Sequence, residues 1–304
     1  MALVKPSLRF ATLNVKSAIA DDVKFVISKY LQSQYLSLLF VTETKIRLPV
    51  RDAQNWGNGA SFVGVGVNPS VQYNVGGVGF VYREEHMKLV PNTLQLVSHR
   101  ICAAEFSPAA GGSASFLCVC VYAPTESHPL PAREQFYKSL SKFYSKLRAQ
   151  HPTKFIYIAG DFNTDFGLDA TAHSAADYVL SDAPPESSAN ANLVLDFCDH
   201  HNLVIANLKF RTSDRKRETW THPRTGAKHV KDLILVSRSC KKQLQKVVAL
   251  RQVGTFDHKA VLWSLNPSHR CFQPQANTRP STSLITPQPT SRSPSASIVK
   301  PGKP

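Results

Sequence analysis

Five apolar runs of this chain each end on a polar residue able to handle phosphate. Residues 8–13 end on Asn14, 38–42 on Glu43 and 116–121 on Tyr122. Residues 155–159 run into Gly160-Asp161-Phe162-Asn163, and 247–253 are followed closely by Asp257-His258. One such ending is ordinary. Five of them predict that the carboxyl ends of several β-strands are gathered into one cleft. In α/β folds, ligands and chemistry sit in that crevice.

The charge balance narrows what the cleft would act on. The 304 residues carry 36 Lys+Arg against 21 Asp+Glu, a formal +15. An excess of that size says nothing about fold but favours polyanionic partners, nucleic acid first among them. The longest apolar runs fall far short of the roughly 20 residues needed to cross a bilayer, so no membrane partner is expected. Residues 1–9 carry Lys5 and Arg9 without the apolar stretch of a secretory signal. The cysteines at 102, 118, 120, 198, 240 and 271 form no C-x-x-C pair. Cys118 and Cys120 alternate with valines, as small hydrophobes in a buried strand do. A soluble, intracellular protein in a reducing compartment is the expectation. The basic stretch at 211–217 makes the nucleus the expected location.

Residues 7–265 read as one mixed α/β domain. Residues 266–304 are rich in Pro, Ser and Thr and lack any acid. Such a tail cannot bury enough apolar surface to offset its ordering entropy, so disorder is expected there. Strand-like runs lie at 8–13, 36–42, 61–67, 77–82, 101–106, 116–122, 155–159, 203–206, 230–236, 247–251 and 260–265. Three helices are predicted. The first follows Asp21 and Asp22, with Val23, Phe25, Val26, Ile27, Tyr30 and Leu31 as its apolar positions. The second spans about 132–150, with Phe136, Leu140, Phe143, Tyr144 and Leu147 inward. The third spans about 191–201, with Leu195 and Cys198 inward. Long strand-rich stretches between few helices suit two packed sheets with helices outside.

The polar residues at these ends form a coherent chemical set. Glu43, Asp161, Asp232 and Asp257 are carboxylates, Asn14 and Asn163 amides, Tyr122 a phenol and His258 an imidazole. No Cys/His cluster has zinc spacing, and no G-x-x-x-x-G-K loop is present. Carboxylates with amides are hard oxygen ligands and suit Mg²⁺ or Mn²⁺. A basic protein with such a site points to hydrolysis of a phosphodiester or phosphomonoester. Read alone, each residue has a plainer role: Asn14 a cap, Glu43 a solvated strand end, Asp161-Phe162-Asn163 an Asx-turn, Asp257-His258 a surface pair.

Taken in order, the segments L-N-V, V-T-E-T, V-Y-A-P-T, G-D-F-N, K-D-L-I-L-V and F-D-H resemble the endonuclease/exonuclease/phosphatase superfamily. Two further segments narrow the resemblance: L-D-F-C-D-H-H at 195–201, leading into N-L-V-I-A-N, and T-W-T-H-P at 219–223. Both are similar to the apurinic-type endonuclease domains of LINE-type (non-LTR) retrotransposons. The resemblance covers about 7–265 and rests on the ordered set rather than any single motif. It implies a DNase-I-like fold, an α/β four-layer sandwich of two packed mixed β-sheets flanked by helices. It also implies a Mg²⁺-dependent endonuclease that nicks one strand of double-stranded DNA. The 3′-hydroxyl left behind would prime reverse transcription, with element RNA or a reverse transcriptase supplied in trans.

The same resemblance implies roles. Glu43 would hold the metal, with Asn14 and Asp257 alongside. Asp161, helped by Asn163, would orient and deprotonate water. Tyr122 and His258 would contact the phosphate, and Asp232 would support the imidazole. The stretch around Pro223-Arg224-Thr225-Gly226 reads as a hairpin whose Arg224, Lys228 and His229 would meet DNA. Two residues depart from the retrotransposon pattern. Phe256 stands where relatives carry Ser, and its ring is expected to crowd the metal. Lys231 stands where they carry an apolar residue and is expected to point into a buried layer. Three rival readings follow: an abasic-site repair endonuclease, a phosphatase or phospholipase of the same superfamily, and a catalytically inactive DNA-binding remnant.

Overall fold

The apolar runs become strands buried on both faces, which is why they read as nearly continuous rather than alternating. The computed structural model describes residues 8–67, 75–111, 115–166, 188–209, 216–252, 254 and 256–265. The chain opens with β1 (Arg9–Asn14), α1 (Asp21–Ser33) and β2 (Leu38–Thr42). There follow β3 (Val50–Gly57), β4 (Ala60–Val67), β5 (Gly76–Arg83), β6 (Met87–Leu89) and β7 (Gln95–Ser98). The middle holds β8 (Ile101–Pro108), β9 (Phe116–Tyr122), α2 (Leu130–Gln150) and β10 (Phe155–Asp161). Next come α3 (Ala189–His200), β11 (Leu203–Ile205), α4 (Ala206–Lys209), β12 (Trp220–Thr221) and β13 (Lys228–His229). The last elements are β14 (Asp232–Ser237), a 3₁₀ segment (Arg238–Gln243), β15 (Leu244–Ala249) and β16 (Val261–Leu265).

One sheet has the order β15-β16-β1-β2-β5-β4-β3, the other β11-β14-β10-β9-β8-β6 with β7 also paired to β8. Each is mixed. The pairs β1–β2 and β9–β10 are parallel, whereas β1–β16 and β10–β14 are antiparallel. The parallel pairs deliver two strand ends side by side in each sheet. The antiparallel neighbour of each pair begins at that same edge. This topology gathers the polar endings.

The period-2 alternation of each strand sorts its side chains into layers. Phe10, Phe40, Phe80 and Trp263 of the first sheet share a core with Phe106, Phe116 and Tyr157 of the second. Edge-to-face contacts such as Phe10–Phe116 (5.5 Å) fill it. Ala11, Leu13, Leu39 and Val41 point the other way, toward Ile27, Tyr30 and Leu31 of α1. Leu117, Val119, Ile156 and Ile158 do the same toward α2 and α3. The result is a four-layer α/β sandwich, as expected.

One local expectation is corrected, and one strand carries no sequence signal. Phe25 and Val26 of α1 face outward, 46% and 39% exposed, while the helix buries Ile27, Ser28, Tyr30 and Leu31. A 100°-per-residue rotation cannot place 25, 26 and 27 on one narrow face. The strand β3 has the polar sequence VRDAQNWG, which carries no apolar pattern. It pairs only with β4, through shifted register, and its polarity suits an unpaired edge. The inward residues named for α2 and α3 are buried. Among the described residues no helix is long and apolar enough to cross a membrane. The tail at 266–304 and most of the basic stretch at 211–217 lie outside the described residues.

Candidate active site

The loops leaving β1, β2 and β10 turn sharply beside the polar residues. Glu43 and Asn163 adopt left-handed backbone (φ 53° and 49°), as does Lys16 just beyond Asn14 (φ 59°). Such conformations cost a non-glycine residue on the order of 1 kcal/mol or more and gather at functional sites. Gly160 answers a different constraint. A Cβ there would stand 1.8 Å from the carbonyl oxygen of Val121, so only glycine lets β10 lie this close to β9. The register then places Asp161 directly beside Tyr122 on one side and Asp232 on the other.

Asn14 joins the two sheets. Its Nδ2 donates to Glu43 Oε1 (2.8 Å) and to Asp161 Oδ2 (2.9 Å), and its Oδ1 accepts from the Lys16 N–H (2.9 Å). The other Asp161 oxygen accepts from the Asn163 N–H at 2.8 Å, the Asx-turn seen in the sequence. The Asn163 side chain donates to the Ala123 carbonyl (2.8 Å), tying the loop after β10 to the end of β9. Tyr122 is buried, and its phenol lies within the field of the Glu43 and Asp161 carboxylates. Burial, then the charges of Glu43 and Asp161, hold its phenol far above the ordinary range, so it stays a hydrogen-bond donor.

His258 Nδ1 pairs with Asp232 Oδ2 at 2.8 Å, and both residues are buried. Burial works against charge on the imidazole. The Asp232 carboxylate, by its field and its hydrogen bond, together with Asp161 and Asp257, outweighs burial and raises the pKa to about 9. Burial, then the adjacent Asp232 charge, pushes Asp161 up to about 6, with His258, Asn14 and the Asn163 N–H pulling the other way. The two groups thus have ionisations moved toward and beyond neutrality by opposite means.

This donor set fits a hard divalent cation. Asp161 and Asp232 offer carboxylate oxygens close together beside His258, which as an imidazolium has no lone pair for a cation. Asp232 Oδ1 is buried and has no hydrogen-bond partner, a costly arrangement for a carboxylate oxygen unless something else satisfies it. Glu43, partly exposed beside this group, adds another oxygen pair. Asp257 sits apart from the buried group, with Oδ2 3.3 Å from Lys16 Nζ.

The two departures from pattern are corrected. Phe256 is buried in the layer between the first sheet and α1, among Leu13, Val248 and Ala260, so its ring fills core. Lys231 is only half-buried, and its Nζ stands 4.5 Å from the ring centroid of Trp220 in a cation–π contact. The predicted hairpin is present as β12–β13. Arg224 is exposed near its tip. Lys228 pairs with Glu218 (2.9 Å) and His229 with Asp165, so internal acids already hold both.

Neither a family model nor a curated protein matches the sequence. Solved structures do match. The chain is similar to the endonuclease domain of TRAS1, a telomere-specific non-LTR retrotransposon (TM-score 0.57, 11% identity, 86% of this chain and 99% of that one). It is also similar to the AP endonuclease LMAP from Leishmania major (TM-score 0.65, 17% identity, 86% and 88%). A third likeness is to the 3′ phosphatase NExo from Neisseria bound to product DNA hairpin (TM-score 0.59, 19% identity, 85% and 99%). The chain has the DNase-I-like fold.

Within this DNase-I-like fold, three supporting residues were not marked as site residues by the sequence. Thr219 is buried, and its hydroxyl accepts the N–H groups of Lys231 (2.9 Å) and Asp232 (3.1 Å), fixing the start of β14. Asn190 is buried and donates to the carbonyls of Pro124 (2.8 Å) and Asn163 (3.0 Å). Arg100 lies against Tyr122. Their partners are 12 to 66 residues away, which no local pattern reports. Only the T-W-T-H-P segment gave a sign, because Thr219 opens it.

Proposed function

We propose that this chain is a divalent-metal-dependent DNA endonuclease that nicks one strand of a duplex. The carrying observation is the pair of linked clusters: Asn14 joining Glu43 to Asp161, and Asp232 holding His258 charged beside them. An acid with a pKa near 6 and a cation with a pKa near 9 are both in their working states at neutral pH.

In this reading Asp161 orients the attacking water and takes its proton, while Asn163 fixes the carboxylate through its N–H. Tyr122 donates to a phosphate oxygen. His258, with Nδ1 committed to Asp232, offers Nε2–H to a non-bridging oxygen as negative charge builds. Glu43 would hold the cation, with Asn14 fixing the Glu43 and Asp161 carboxylates through its Nδ2 and Asp257 at the margin. When bound, Mg²⁺ or Mn²⁺ neutralises phosphate charge and stabilises the leaving 3′ oxygen. Arg224 contacts DNA from the hairpin tip, while Lys228 and His229 shape the hairpin through their internal acids. The 3′-hydroxyl product suits target-primed reverse transcription by an enzyme supplied in trans. The core position of Phe256 favours this active reading over an inactive remnant.

The test is plasmid nicking. Supercoiled DNA with Mg²⁺ should relax with the wild-type chain and stay supercoiled with His258→Ala. Equal nicking by both would remove the assigned roles. Much faster cleavage of an abasic oligonucleotide than of intact duplex would instead favour the repair reading.

A further inference from the structure

Arg100 is a half-buried arginine at the turn entering β8, and burial depresses its pKa. Among the described residues no carboxylate oxygen stands within 4.0 Å of its guanidinium, though Glu43 and Asp161 act on it through their charge. A guanidinium taken from water needs compensation. Arg100 finds it in Tyr122 and in the fields of the Glu43 and Asp161 carboxylates. Its Nη1 donates to the Tyr122 carbonyl at 3.2 Å, and its Cζ stands 4.9 Å from the phenol ring centroid. The Tyr122 N–H donates in turn to the Arg100 carbonyl at 2.9 Å. One residue thus grips another by main chain, side chain and ring face.

The turn that carries Arg100 is also tied to the loop of Glu43. The Gly77 N–H donates to the His99 carbonyl (2.9 Å), while the N–H groups of Thr44 and Lys45 donate to Gly77 (3.0 Å) and Gly76 (3.2 Å). Both glycines adopt positive φ, 97° and 83°. A Cβ on Gly77 would stand 2.3 Å from Thr44 Oγ1, and one on Gly76 would stand 2.7 Å from the His99 carbonyl oxygen. A continuous strap therefore runs from Glu43 in one sheet, through Gly76-Gly77 and His99-Arg100, to Tyr122 in the other.

We propose that Arg100 is a positioning residue. It locks the Tyr122 ring and, through the strap, fixes where the phenol stands relative to the Glu43 loop. It acts through Tyr122 and does not touch DNA. The kinetic part of the test rests on the phosphodiesterase reading above; the spectroscopic part does not.

The experiment compares full-length wild type, Arg100→Met, Arg100→Lys, Tyr122→Phe and the double variant Arg100→Met/Tyr122→Phe. Arg100→Met should lower kcat by about tenfold to a hundredfold, as misplacing a contact group does, with KM for DNA little changed. The double variant should be no slower than Tyr122→Phe alone. Additive losses would overturn the proposal. So would a fall of about 1 in the slope of log affinity against log salt for Arg100→Met, the mark of a lost phosphate contact. A second readout needs no activity. In spectra of ¹³C-ring-labelled tyrosine, the signal that Tyr122→Phe removes should move in Arg100→Met and less in Arg100→Lys. An unmoved signal overturns the proposal even if the wild type cleaves nothing. A wild type that fails to nick while the signal moves would instead count against the phosphodiesterase reading. If Arg100→Met does not fold, the Arg100→Lys arm carries the comparison.

Discussion

Asp161 and Asp232 stand directly opposite each other across the β10–β14 pair, both buried. Like charges facing across strands destabilise a sheet, and burial magnifies the effect. A fold keeps such a pair only where something offsets it. Here His258, Asn14 and the Asn163 N–H do part of that work.

Asp161→Asn should therefore separate stability from activity. The substitution removes one buried charge, so the metal-free protein should melt higher than wild type. Nicking should fall by at least a hundredfold with the loss of the proton acceptor. Thermal melting beside plasmid relaxation checks both. A variant that melts lower and keeps its activity would contradict the assignment.

Metal-free stability should fall as pH rises through neutrality. The folded pKa of His258, about 9, lies above its ordinary 6.5. Its contribution is thus complete below 6.5 and lost as pH climbs through 9. Asp161 is raised from 3.8 to about 6, so it acts with the same sign in a lower window, between those values. Urea midpoints of metal-free protein from pH 5 to 9.5 should decline. In His258→Asn the upper part of the decline should flatten; an unchanged slope there would show that His258 is not the group responsible.

Mg²⁺ or Mn²⁺ should raise the melting temperature of the wild type. At about 100 times Kd the stabilisation would be about 2.7 kcal/mol. Glu43→Gln should reduce it, because it weakens the oxygen donor set beside the buried orphan of Asp232. If neither cation moves the wild-type melt, the donor set does not bind metal in the folded chain.

Phe256→Ser should damage the protein rather than improve it. The ring is buried among Leu13, Val248 and Ala260, and emptying such a site costs about 3 kcal/mol or more. Chemical denaturation measures the loss. Faster nicking by Phe256→Ser at unchanged stability would mean that the ring does crowd the site.

Arg224→Ala should weaken DNA binding and reduce its salt slope by about 1, leaving the melting temperature unchanged, because the residue is exposed on the hairpin. Fluorescence anisotropy over a range of salt concentrations reads both. An unaltered slope would place the hairpin tip away from the phosphates.

Much of this protein was legible in one dimension. The strands that build both sheets, the three long helices and the residues Asn14, Glu43, Tyr122, Asp161, Asn163, Asp232 and His258 all show as local patterns: apolar runs, helical spacing, polar residues at strand ends. Those signals survive because burial on two faces demands continuous apolar sequence. The edge strand β3 escaped, since it buries little and its polarity serves solubility, whereas the more apolar edge strands β11 and β15 did not. The fates of Phe256 and Lys231 were misjudged for a related reason. Neighbouring residues in sequence hint at which way a side chain points, but not at what occupies the space it enters.

The sequence by itself determined which residue types stand at the strand ends, and with them the chemistry available. Only the tertiary structure decided their partners. Parallel pairing of β1 with β2 and of β9 with β10 brings the ends together. The packing of one sheet on the other then lets Asn14 reach Asp161 across 147 positions of chain. The physical reason is that hydrogen bonds, charge and burial act through distances in space. The supporting contacts of Arg100, Thr219 and Asn190 come into being only once the strands of the second sheet and the helix that packs on it have assembled.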